Sequence, residues 1–107
     1  MGFVYLLGDS GQENTFKIGV TRQNINKRIK QLQTGNGSDI YLVNYHETKY
    51  PFFIEHRLHL YFYQKQKKNE WFELNNEDIN RFKEICINIE ENAKALENNP
   101  FAKKILK

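Results

Sequence analysis

Two short runs near the start of the chain constrain its fold more than any other feature. GFVYLLG at 2–8 and TFKIGV at 15–20 are dense in β-branched and aromatic residues, and the six residues between them, Asp9 to Asn14, all suit a turn. This pattern predicts a β-hairpin with a six-residue loop. The period then changes. Between Asn24 and Gln33 the apolar residues are Ile25, Ile29 and Leu32, spaced i, i+4, i+7 along one helical face, while Lys27 and Lys30 point elsewhere. Thr34, Gly35, Asn36 and Gly37 predict the end of that helix, because glycine readily closes a helix in the left-handed conformation.

The rest of the chain continues the alternation. DIYLVNYHE at 39–47 predicts a third strand, with Ile40 and Leu42 alternating with Tyr41, Val43 and Tyr45. Tyr50-Pro51 marks the start of a second helix, since proline is tolerated at the first helical position, and Ile54, Leu58, Tyr61 and Phe62 form its apolar face. A basic loop at 64–68 leads to EWFEL at 70–74, read as the last strand. A long amphipathic helix follows, capped by Asn75 or Asn76, with the stripe Ile79, Phe82, Ile85 or Cys86, Ile89, Ala93 and Leu96. Pro100 should end it, with FAKKILK expected to add a loose final turn.

These elements describe one α/β domain: a small mixed or antiparallel sheet of three to four strands flanked by helices. Residues 1–75 form the core and 76–107 a helical extension packed on it. A chain of 107 residues holds one well-stabilised core, and 39% hydrophobic residues with eight Phe and six Tyr supply it despite a mean hydropathy of -0.76. No apolar run approaches the roughly 18 residues of a membrane span, and the first ten residues lack the charged start and cleavage site of a signal peptide. The expectation is a protein inside the cell. Cys86 has no disulfide partner and sits among isoleucines, where a buried thiol is ordinary. His56, His59 and Cys86 lack zinc-ligand spacing, and neither a phosphate-cradling glycine loop nor a Ser-His-Asp arrangement is legible.

Charge points toward a partner. The net charge is +3, but residues 1–68 hold ten Lys/Arg against five Asp/Glu, and residues 69–107 hold six against eight. The basic surplus therefore belongs to the first two-thirds, as a phosphate-facing surface would require. Lys27, Lys30, Lys65, Lys67 and Lys68 could track a nucleic-acid backbone, with Tyr63 and Trp71 nearby; Trp71 reads more readily as core than as a stacking platform.

Phe3-Val4-Tyr5 followed by Lys17-Ile18-Gly19-Val20-Thr21 resembles the two-strand signature of the GIY-YIG nuclease superfamily, with Arg28 where that family has its helix arginine. Glu55-His56-Arg57-Leu58-His59 and Glu70-Trp71-Phe72-Glu73-Leu74 are similar to segments of its T5orf172 (MUG113-like) branch, which is associated with phages, large DNA viruses and mobile elements. The resemblance covers about residues 3–75 and implies a Mg²⁺-dependent endonuclease, with Mn²⁺ able to substitute, acting on DNA as a monomer or weak homodimer.

The chemistry gives each matched residue a task. Phosphodiester hydrolysis needs a nucleophilic water, neutralisation of charge on the phosphate and help for the departing oxygen. Glu55, the only carboxylate of the second helix, lies beside its apolar stripe, where an unpartnered acid would be costly; it can ligate Mg²⁺ or pair with Arg28 or Arg57. Arg28 edges the inner face of its helix and offers a planar, permanently charged fork to phosphate oxygens. By resemblance, Tyr5 orients or deprotonates the attacking water. His59, one turn beyond Glu55, could bond the carboxylate, touch phosphate or carry a proton. Gly19 would let strand and substrate, or strand and helix, approach closely.

This sequence departs from the family pattern at two positions. Lys17 replaces the second signature tyrosine and could place an ammonium near the nucleophile or a phosphate oxygen. Leu32 stands where the family often has His or Tyr, one turn after the arginine. The family's late asparagine is not assignable among Asn69, Glu70 and Asn75. Two other functions stay open: a catalytically silent DNA-binding module of the same fold, and a protein-interaction domain using the C-terminal helix.

Overall fold

A computed structural model of the protein describes residues 1–99 and 101; the expected stop at Pro100 and the final turn of the tail lie outside the described residues. Among those described, the order is β1 (Gly2–Asp9), β2 (Gln12–Thr21), α1 (Ile25–Gln33), β3 (Ile40–Thr48), α2 (Pro51–Tyr61), a 3-10 turn (Tyr63–Lys65), β4 (Gln66–Lys68), β5 (Trp71–Glu73) and α3 (Asn76–Glu97). The strands form one antiparallel sheet in the order β3-β1-β2-β5-β4.

Three expectations need correction. The sheet has five strands, not three to four, because the basic segment read as a loop folds into the 3-10 turn and β4, which pairs with β5. The first hairpin closes through Ser10 and Gly11, not through six residues, since Asp9 already pairs with Gln12. Asp9 itself locks that turn: its carboxylate accepts from the Gly11 N–H at 2.9 Å and from the Ser38 hydroxyl. Finally, Tyr61 is 53% exposed, and the buried face of α2 runs through Pro51, Phe53, Ile54 and Leu58 instead.

Helix boundaries follow their caps. The Asn24 side chain accepts from the N–H groups of Asn26 and Lys27, and beyond the last turn of α1 Gly35 adopts φ +79, where a Cβ would be strained. Asn75 and Asp78 form a reciprocal capping box on α3.

Strand alternation sorts the side chains onto two faces. Val4, Leu6, Phe16, Ile18, Phe72 and Leu74 meet Ile54, Leu58 and Phe62, together with Phe82, Ile85 and Cys86 of α3, in one core. Burial pushes the Cys86 thiol up to about 12, so it packs as a small apolar side chain. The first turn of α1 shares a hollow with Phe3, Leu42 and Tyr45, so α1 covers the opposite face, the one that carries Tyr5. No helix among the described residues is long and apolar enough to cross a membrane.

Candidate active site

The site forms where the β2–β5 ladder stops. β5 pairs with β2 from Thr15 to Lys17, and the next residue, Ile18, turns its peptide to two other groups. Its N–H donates to the Glu70 carbonyl at 3.0 Å, and its carbonyl lies 3.0 Å from His59 Nε2. A carbonyl only accepts, so Nε2 carries the hydrogen, and in the neutral ring Nδ1 keeps the free lone pair. The edge of the Phe72 ring, 5.0 Å away between centroids, fixes the imidazole from another side.

Glu55 stands one turn before His59 on α2. Glu70 arrives from the other direction. It is the second residue of the two-residue loop between β4 and β5, whose first residue, Asn69, has φ 54; asparagine tolerates that left-handed conformation better than most residues. The result is one ligand-capable atom each from Glu55, His59 and Glu70, all within 4.8 Å of one another and half-buried.

The electrostatics follow from crowding. Burial, then a hydrogen bond and charge repulsion from Glu70, push the Glu55 carboxyl up to about 7 despite the opposing pull of Lys17. Burial alone would also raise Glu70, but the hydrogen bond and charge of Lys17, with help from Glu55 and His59, hold it below the usual carboxylate range. Lys17 Nζ donates to Glu70 Oε2 at 2.8 Å and also lies 5.7 Å from the centre of the half-buried Trp71 ring. Two carboxylates and an imidazole at this spacing suit a divalent cation, which would relieve the repulsion between Glu55 and Glu70.

The other expected residues are distributed unevenly. Tyr5 is 1% exposed and pairs with Gly19 across β1 and β2, on the sheet face that also carries Lys17. Arg28 is half-buried on α1; its Nη1 donates to Gln31 Oε1 at 3.4 Å, and among the described residues it makes no ion pair with the carboxylate cluster. Neither it nor Arg57, whose guanidinium sits 5.2 Å from the Phe53 ring centre, provides the salt bridge weighed for Glu55. Lys27, Lys30, Lys67 and Lys68 are exposed, while Lys65 is engaged by Asp78 at 2.5 Å. Glu70 is not singled out as a site residue by the sequence; its place beside Lys17 depends on the β4–β5 hairpin, whose first strand, β4, lies in the segment that reads as a basic loop.

The chain belongs to the T5orf172 domain family, whose model matches residues 2–87, a domain associated with a GIY-YIG-like nuclease fold. The match extends past the sheet into the first half of α3. No curated protein and no solved structure matches the chain significantly.

Proposed function

We propose that the protein is a metal-dependent endonuclease that hydrolyses DNA phosphodiester bonds at the Glu55–His59 corner. The observation that carries this reading is the clustering of Glu55, His59 and Glu70 within 4.8 Å at the open end of the β2–β5 ladder. A family associated with a nuclease fold, with such a cluster where its helix glutamate falls, is better explained by phosphodiester chemistry than by a structural ion pair.

When bound, a Mg²⁺ or Mn²⁺ ion would supply charge neutralisation at the phosphate and a more acidic water. The chain's own residues supply the rest. Glu55 anchors the cation. His59, with Nε2–H committed to Ile18, has Nδ1 free to accept a proton or a ligand bond. The Tyr5 phenol orients the attacking water, and Arg28 brings its fork to the phosphate once DNA lies along α1. The exposed lysines of α1 and β4 hold the backbone by charge.

The test is incubation with supercoiled and single-stranded circular DNA in Mg²⁺, Mn²⁺ or EDTA. The expected result is metal-dependent nicking that Glu55→Gln abolishes while DNA affinity persists. DNA binding without cleavage in either metal would replace the enzyme reading with a silent DNA-binding module, for which the absence of a tyrosine at Lys17 already speaks.

A further inference from the structure

We propose that Glu70 is a second carboxylate ligand of the divalent cation anchored by Glu55, and that Lys17 is its positioning residue, acting on the reaction only through it. This rests on the nuclease reading for the nature of the ligand, and on independent geometry for the residues.

Glu70 is held at several points at once. Its backbone carbonyl accepts from Ile18, its Oε2 takes the Lys17 ammonium at 2.8 Å, and the left-handed Asn69 turns the chain into position just before it. Lys17 is itself confined: its side chain is 12% exposed and its ammonium sits near the Trp71 ring. A cation so committed is not free to meet a phosphate oxygen. A carboxylate, however, has two oxygens with about four lone pairs, so Oε2 can hold Lys17 while lone pairs remain for the contact with Glu55 and for a metal. The same Ile18 peptide fixes both Glu70 and His59, which ties two donors from different elements to one rigid strand residue.

Charge supports the assignment. Glu55 and Glu70 ionised, with Lys17, leave one negative charge at the corner; a divalent cation makes it positive by one, matching a single phosphodiester. Without Lys17 the two carboxylates would cancel the cation's charge and leave none to match the phosphodiester. The arrangement thus gives the lysine a reason to replace a phenol that does not require it to touch substrate.

The experiment is calorimetric titration of the full chain with Mn²⁺ alone, without DNA, alongside thermal unfolding in EDTA as a folding control. Glu70→Gln should weaken Mn²⁺ binding by about tenfold or more, Lys17→Met by a smaller factor, and Lys17→Arg should restore most of that loss. Unchanged affinity in Glu70→Gln overturns the proposal. Should that variant fail to fold, Glu70→Asp keeps the charge and shortens the reach; weaker Mn²⁺ binding supports the assignment and unchanged binding opposes it. The two readings fail differently. Wild-type protein that nicks DNA while Glu70→Gln keeps full Mn²⁺ affinity removes this inference only; wild-type protein that binds Mn²⁺ through Glu70 but cuts nothing removes the nuclease reading only. A wild-type chain that binds no Mn²⁺ removes both.

Discussion

Tyr5 and Gly19 face each other across β1 and β2, and the tyrosine ring occupies the space a glycine side chain would need: a Cβ at Gly19 would come within 2.5 Å of the Tyr5 hydroxyl. The absent side chain lets a large phenol lie flat over the strand that carries Lys17 and Ile18. Strand alternation puts Tyr5 and Gly19 on the same sheet face as Lys17, two residues along β2.

Gly19→Ala should therefore displace Tyr5, destabilising the fold by about 1–3 kcal/mol, as overpacking does, and lowering nicking more than DNA binding. Chemical denaturation and plasmid nicking measure the two effects. In the Tyr5→Ala background the same Gly19→Ala change should cost much less stability, because the clash is gone; equal cost in both backgrounds would disprove the contact.

The Glu55 carboxyl, raised from 4.5 to about 7, carries a pH signature. A group whose folded value lies above its unfolded one binds its proton more tightly in the folded state. Its contribution to stability is present below about 4.5 and is lost as pH rises toward 7. Unfolding temperature in EDTA should fall between pH 5 and 8 in the wild type, and Glu55→Gln should remove that component. At pH 8, Mn²⁺ should stabilise the wild type and leave Glu55→Gln unmoved. A wild type and variant with parallel pH curves would contradict the placement of Glu55 beside Glu70.

The exposed lysines of α1 predict a salt dependence. Log K for DNA should fall steeply with log[salt], and Lys27→Ala or Lys30→Ala should each flatten the slope by roughly one unit. Lys65→Ala should change it less, because Asp78 already engages that ammonium. Fluorescence anisotropy over a salt series reads this directly, and an affinity indifferent to salt would exclude phosphate contacts as its source.

Asn69 tests how Glu70 is delivered. At φ 54 a β-branched residue is strained, whereas glycine is not. Asn69→Gly should leave nicking near wild type, while Asn69→Val should lower both stability and cleavage rate. If the valine variant cuts normally, the turn conformation is not what holds Glu70 at the site.

Local patterning determined much of this protein. The first strands, α1, the Pro51 start of α2 and the capped stripe of α3 all follow from periodicity and end signals that involve residues a few positions apart, so each was legible in sequence. Glu55, His59 and Tyr5 could be named as candidates from sequence, because their motif residues lie within single elements, and the fold brings Glu55 and His59 together one turn apart on α2. What sequence could not decide were relations between distant segments. β4 is three residues long, all of them polar and exposed, with no apolar alternation to announce it, and only pairing with β5 makes it a strand. Glu70 reaches Lys17 from 53 residues away. That meeting depends on β2–β5 register, on the Asn69 turn and on the end of the ladder at Lys17, and it turns a lysine expected to face phosphate into the partner of a carboxylate. A salt bridge of this kind is a property of the folded sheet, since its energy exists only when tertiary contacts have brought both charges into the same half-buried corner.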